Sequence, residues 1–305
     1  MLTLAFTDGF SLVPFAFRLM SSSKSKNPAT AHEAHTIAAR RRRDAVKTMP
    51  DMLYAMLKTA KALMIPARHV LFDSWFSSPI SLMTIHKIGF FCVAMLKKNS
   101  TLYTYNEESL SLSQIFRKLK KRPGKAKYLA SAIVTISHKK MALPITAKIV
   151  FVRDKNNRKN WCAIISTDIS LSEEKVVELY GKRWDIEVFF KMCKSHLKLV
   201  KEFQGRSYDM LTAHTSIVFL RYICLSWTRR VNNDSRTMGD LFYLASEEVA
   251  DITFAQAFNL IIDALSSALC EFLFLSREQI DAFISSFIDR LPPFWRNLPA
   301  FSCES

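Results

Sequence analysis

Two apolar runs, LTLAFT and SLVPFAF, sit either side of Asp8-Gly9, and an Asp-Gly pair in that setting predicts a β-hairpin. A polar loop, SSSKSKNPAT, and the basic run Arg40, Arg41, Arg42 and Arg43 follow. From Pro50 to about Ala62, Met52, Met56, Leu57 and Ala60 recur at the spacing of an amphipathic helix. HVLF then reads as a short strand ending at Asp73. Ser77, Ser78 and Pro79 supply a cap and a first helical turn for ISLMTIHKI, which stops at Gly89. The run FFCVAML predicts a second buried strand. Strand, helix, strand in this order is a parallel βαβ unit.

The pattern changes from about residue 98. KLKKRPGKAK is a cationic loop, while SAIVTISH, ITAKIVFV and WCAIIST read as β-strands. A helix opens at Ser172, where Ser172 caps and Glu173 and Glu174 suit the positive end of the dipole. From about Tyr208 the periodicity is helical, with an amphipathic stretch from Thr212 to Arg230. AFNLIIDALSSALCEFLFLS is interrupted by Asn259, Asp263 and Glu271, so it predicts a buried helix and no membrane span. The expected organisation is a first α/β part over 1–97 and a β-rich insertion over 98–172. A returning helix over 173–207 and a helical C-terminal region over 208–305 complete it.

Composition narrows the partner. Hydrophobic residues make up 49% of the 305 positions, enough for a globular core. Lys and Arg number 43 against 27 Asp and Glu, a formal charge of +16, which favours a polyanion such as DNA. The six cysteines form no CxxC pair and read as reduced thiols. MLTLAFTDGF does not read as a secretion signal, so the expected location is cytoplasmic, on the nucleoid.

The stretch YGKRWDIEVFFKMCK sets the chemical question. On a helical wheel Tyr180, Arg183, Glu187 and Lys194 fall within roughly 60° of one another. Trp184, Lys191 and Lys198 flank the stripe, and Ile186, Phe189, Phe190, Cys193, Leu197 and Val200 lie opposite. A single carboxylate among cations fits a salt-bridged surface, a nucleic-acid face or a metal site beside phosphate-binding groups. By spacing alone, the ion-paired surface is the plainest of these. The metal reading needs a second acid, and Asp73, closing a strand, is the candidate.

Tyr180, Arg183, Glu187 and Lys194 together spell Y-x2-R-x3-E-x6-K, which resembles the signature of DDE transposases in the family named for insertion sequence four. FDSWFSSP around Asp73 resembles that family's second catalytic aspartate segment. STDISLSEEKVVELYGKRWDIEVFFK resembles the approach to its catalytic glutamate. The resemblance implies an RNase H-like mixed sheet with flanking helices, interrupted by the β-rich insertion. It also implies metal-dependent DNA strand cleavage and transfer with two Mg²⁺ or Mn²⁺ ions. Asp73 and Glu187 would be the catalytic, metal-binding acids, since hard oxygen donors suit these ions. Tyr180, Arg183, Lys191, Lys194 and Lys198 would contact DNA phosphates. The partners implied are transposon ends and target DNA, with a homodimer on the DNA and no membrane.

One departure shapes the expectation. The family's first catalytic aspartate ends a central strand that precedes the hairpin, and Asp8 reads as turn chemistry instead. The first strand is therefore expected to be missing, leaving two strand edges unpaired. The expectation is a truncated, inactive or impaired transposase. The alternative is a non-catalytic remnant that binds transposon ends or inhibits the intact enzyme. Elsewhere, Arg40–Arg43 and KLKKRPGKAK are candidate phosphate contacts, as are Arg221, Arg229 and Arg230. Trp75 and Trp161 are expected in the core, with base stacking as the other role. His69, His86, His138 and His196 are expected to be structural.

Overall fold

The computed structural model describes residues 1–22, 35–123, 126–154, 157, 160–199, 201, 205, 207–250, 254–273 and 276–290. Val200 and part of the KLKKRPGKAK loop fall outside them. The chain opens with β1 (Leu2–Thr7) and β2 (Leu12–Arg18), an antiparallel hairpin with a bulge between Leu4 and Ala5. Its turn is built by Asp8, whose Oδ1 accepts from the backbone N–H of Phe10 and of Ser11, both at 2.9 Å. Gly9 takes φ 97°, a left-handed conformation that a side chain would strain. Asp8 is thus held as a turn residue, as its context suggests.

Two helices, α1 (Ile37–Ala45) and α2 (Met49–Ala62), lead into β3 (His69–Phe72), α3 (Pro79–Ile88) and β4 (Phe91–Leu96). β3 and β4 are parallel. Ser78 caps α3 by accepting from Ser81 N–H, and Gly89 ends it in the left-handed region at φ 97°. The three strands expected in the 98–172 segment are present as β7 (Ala130–Ile136), β8 (Ile145–Arg153) and β9 (Trp161–Ser166), preceded by an unexpected β5 (Leu102–Tyr105), β6 (Glu108–Ser111) and α4 (Leu112–Lys118). They are continuous with the first part of the fold, because β9 pairs antiparallel with β4. One seven-stranded mixed sheet results, in the order β3-β4-β9-β8-β7-β5-β6. A mixed sheet flanked by helices agrees with the expected fold class at that level.

Alternation along the strands builds two layers. Cys92, Ala94 and Leu96, with Ile149, Phe151 and Ile165, face one side and pack with α2, α3 and α4 residues such as Met52, Leu82 and Ile115. Val93, Val150 and Ile164 face the other side and receive Val176. Val176 belongs to α5 (Glu173–Gly181), capped by Ser172 as its sequence predicts. A single 3₁₀ turn (Lys182–Trp184) connects α5 to α6 (Asp185–Ser195). The long α7 (Tyr208–Val231) then packs on α6 and the hairpin: Phe189 stacks edge-on against Phe219 and Tyr222, and Phe219 meets Phe17.

Residues Met1–Asp234 form one compact unit and Ser235–Ser305 a second. The second holds α8 (Met238–Ala250), α9 (Phe254–Leu273) and α10 (Arg277–Asp289). Among the described residues no helix is long and apolar enough to cross a membrane. α9 departs from expectation: within its own unit it packs against α10 and leaves Ile261 and Leu265 exposed. A single partner helix covers only part of a surface that is apolar most of the way round.

Candidate DNA-processing site

Asp73 follows the last residue of β3, at the carboxyl end of the edge strand. Its Oδ1 accepts from Trp75 N–H at 2.8 Å, a local turn that fixes the side chain while leaving the residue exposed. The carboxyl end of a strand is where sites in open α/β sheets gather.

Glu187 lies in the first turn of α6, where the helix dipole favours a carboxylate. Arg183 Nη1 donates to Glu187 Oε1 at 2.7 Å, and the guanidinium sits 5.6 Å from the Tyr180 ring centre. Burial opposes the charge on Arg183, but Glu187 and Tyr180 hold its pKa above the ordinary value. Burial pushes the Tyr180 phenol up; Arg183 pulls it back and the Asp73 carboxylate adds to the rise. Asp73 is therefore within electrostatic reach of Tyr180. Contacts join Tyr180, Arg183 and Glu187, and Asp73 adds only a small electrostatic influence on Tyr180.

Lys191 and Lys194 are exposed on the same face of α6, and with Glu187, Phe190 and Ser195 they line an open depression of about 500 Å³. Lys198 is set apart. α6 ends at Ser195, Lys198 takes φ 61° beyond it, and its carbonyl oxygen is 3.0 Å from His214 Nε2. The 3₁₀ turn also alters the expected wheel. At 120° per residue instead of 100°, three residues rotate the helix beyond them by on the order of 60°. Even so, the Arg183–Glu187 ion pair spans the turn, while Tyr180 packs on the sheet and Glu187, Lys191 and Lys194 line one depression on α6.

Among the described residues no three His, Cys, Asp or Glu side chains are grouped as metal ligands. Asp185 is the nearest additional carboxylate in sequence, and it accepts from the Thr7 hydroxyl at 3.3 Å, fastening the end of β1 to the start of α6.

Trp75 corrects the expectation of core packing: it is 74% exposed, with Lys97 Nζ 5.3 Å from its ring centre. Trp161 does pack, against Phe116 and Phe151. Arg42 pairs with Asp209, and Arg230 Nη1 meets Asp8 Oδ2 at 2.5 Å. These two arginines tie distant parts of the chain together. In the cationic loop Lys118 pairs with Glu108, and Arg122 stacks 4.2 Å over Tyr128. His69 Nε2 lies 2.9 Å from Asp168 Oδ2, a buried structural link. Sequence reasoning named Arg42 only as one of four candidate phosphate contacts; with Lys194 and Tyr208 it lines a cavity of about 730 Å³. Within a run of four arginines, nothing marks which one turns inward.

Residues 29–224 match the family model described as the transposase DDE domain. The chain belongs to that family. The matched span of the transposase DDE domain holds Asp73, Tyr180, Arg183, Glu187, Lys191, Lys194 and Lys198, and the hairpin lies outside it. Over 80 residues the chain is 28% identical to a probable transposase for insertion sequence element IS5377 of Geobacillus stearothermophilus. That alignment covers 26% of this chain and 20% of the relative.

Proposed function

We propose that this chain is the catalytic region of an insertion-sequence transposase, of the family named for insertion sequence four, which cleaves and transfers DNA strands. What supports the reading is the Tyr180, Arg183 and Glu187 group, with Lys191 and Lys194 beside Glu187 on α6 and Asp73 closing β3, all within the matched transposase DDE domain. Carboxylate oxygens are hard donors, and both acids are at least partly exposed, so Asp73 and Glu187 fit Mg²⁺ or Mn²⁺. Such ions, when bound, activate the attacking oxygen and stabilise the leaving one.

The remaining work falls to the protein's own groups. Arg183 holds Glu187 in one rotamer and, by leaving that ion pair, can donate to a phosphate oxygen. Tyr180, kept protonated by burial, donates a hydrogen bond to a phosphate and bears no charge that would repel it. Lys191 and Lys194 carry the backbone along α6, with Lys198 beyond the helix end.

A second reading is favoured by one observation: among the described residues no three candidate metal-ligating side chains are grouped. On it, residues 1–305 bind DNA and cleave it poorly or not at all, or inhibit an intact transposase by pairing with it. Both readings predict that replacing Lys191 and Lys194 by Ala weakens DNA binding and lowers the salt-dependence slope by about 2. They part at Glu187→Gln. The catalytic reading expects Mn²⁺ affinity, followed by calorimetry or water-proton relaxation, to fall at least about tenfold with DNA binding retained. Unchanged Mn²⁺ binding removes Glu187 from the site. Mg²⁺-dependent nicking of a transposon end by the 305-residue chain, absent in the Glu187→Gln variant, excludes the second reading.

A further inference from the structure

The long α7 carries two unlike faces. Thr212, Thr215, Val218, Phe219, Tyr222 and Ser226 are buried where the helix packs on α6 and β2. Met210, Ala213, Ile217, Leu220, Cys224 and Trp227 lie on another face and are all exposed. Met210, Ile217, Leu220 and Trp227 each leave more than half of their surface open. Four of the six buried residues carry hydroxyls, so the exposed face is the more apolar one, the reverse of an ordinary surface helix. A helix that is apolar all round belongs in contact with protein on both sides.

The exposed set is regular. From Met210 to Trp227 the steps are 3, 4, 3, 4 and 3 residues. That is the a and d spacing of a heptad, with Met210, Ile217 and Cys224 at a and Ala213, Leu220 and Trp227 at d. A seam of this period admits the knobs of a second helix, whereas a flat apolar partner needs no such spacing. Charged residues flank it, Asp209 and Arg230 on one side and Arg221 on the other, in the places that set partner and direction.

We propose that a second copy of this chain covers the seam, the two α7 helices running antiparallel across a two-fold axis. The seam is complementary to itself in that arrangement. Ile217 set against the partner's Leu220 brings Ala213 against the partner's Cys224 and Met210 against the partner's Trp227, so all six positions are matched. Small meets small, and the flexible thioether meets the largest ring, a favourable contact. The same alignment lays Asp209 beside the partner's Arg230, twice by symmetry. Parallel helices would instead stack Trp227 on itself and gather Arg221, Arg229 and Arg230 of both copies at one end. The pairing belongs to the free chain, without DNA or metal, so it goes beyond the transposase reading and does not rest on it.

The test uses the 305-residue chain free of DNA. Sedimentation across concentrations from about 1 to about 100 µM is expected to show a monomer–dimer equilibrium. Ile217→Glu combined with Leu220→Glu should raise the dimer Kd at least about a hundredfold. Both side chains are exposed, so the circular dichroism of the variant should match that of the parent. Direction is read with Ala213→Cys in a chain also carrying Cys270→Ser and Cys303→Ser. Under oxidised glutathione the introduced thiol and the partner's Cys224 should form an interchain disulfide, identified by mass spectrometry of the linked peptides. With Ala213 kept, no link should form. The two copies of Cys224 then lie about 16 Å apart along the axis, and a disulfide needs Cα atoms within about 7 Å. A dimer that survives the double Glu change overturns the proposal, as does a link between the two copies of Cys224, which requires parallel helices. A monomer at every concentration also overturns it; slow alkylation of Cys224 in that monomer would give the seam to another segment of the same chain. None of these readouts involves Glu187, DNA or metal, so the pairing and the metal site fail separately.

Discussion

The seven-stranded sheet and the β1–β2 hairpin are built from similarly apolar strands, yet they are held in different ways. In the large sheet the internal strands have two neighbours each, and β8 and β9 are covered on both faces, so Ile149, Phe151 and Ile165 are fully buried. The hairpin has one ladder, and of β1 only Leu2 is buried. It is fastened at discrete points: Phe17 on Phe219, Thr7 on Asp185, and Asp8 on Arg230. Burial is spread through the first region and concentrated in a few ties in the second. The proposed site would draw on both, with Asp73 from the sheet and Glu187 on the helix that meets the hairpin.

The sharpest test of the contrast is a truncation in each region. Ile165→Ala, in the central strand β9, is expected to cost about 2–5 kcal/mol in denaturant unfolding. Leu4→Ala in β1 should cost about 1 kcal/mol, since less apolar surface leaves water there. Equal costs would mean that the hairpin is an integral part of one core. Hydrogen exchange gives the next largest effect: β8 and β9 amides should exchange only through global opening, and β1 amides orders of magnitude faster through local opening.

Asp8 gives a smaller, pH-resolved effect. Hydrogen bonds from Ser11 and Phe10, and then Arg230, lower its pKa from 3.8 to about 2. A depressed folded-state value contributes stability that is present above the unfolded value and lost as pH falls from about 4 to about 2. With a third of the side chain exposed, Asp8→Asn should cost about 1 kcal/mol at pH 7 and nothing at pH 2. A cost that persists at pH 2 would assign the effect to packing. The smallest change expected is Thr3→Val, neutral or stabilising by up to about 1 kcal/mol, because the hydroxyl it removes is buried without a partner. Clear destabilisation would show that Thr3 is satisfied in solution.

Much of the fold was legible where local chemistry dictates local structure. The Asp8-Gly9 turn, the Ser78 and Ser172 caps, the Gly89 stop and the HVLF strand come from short-range rules. The pairing of β9 with β4 was not, because nothing in WCAIIST names its neighbour. Of the proposed site, spacing alone showed only a charged ridge, whose Arg183–Glu187 ion pair is present, and the metal and phosphate roles came from the family resemblance. The overwinding at Lys182–Trp184 was hidden, since KRW carries no helix-breaking residue. Trp75 likewise gave no sign that it would be exposed, for aromatic residues are buried far more often than they are displayed.

That overwound turn has a mechanical consequence. α5 is clamped to the sheet through Val176, and α6 is clamped to α7 through Phe189. Between two clamps, a three-residue joint converts any swing of one helix into a twist of the other, and Arg183 rides on the joint. The angle between the Asp73 side and the Glu187 side of the molecule is therefore set by how tightly three residues are coiled.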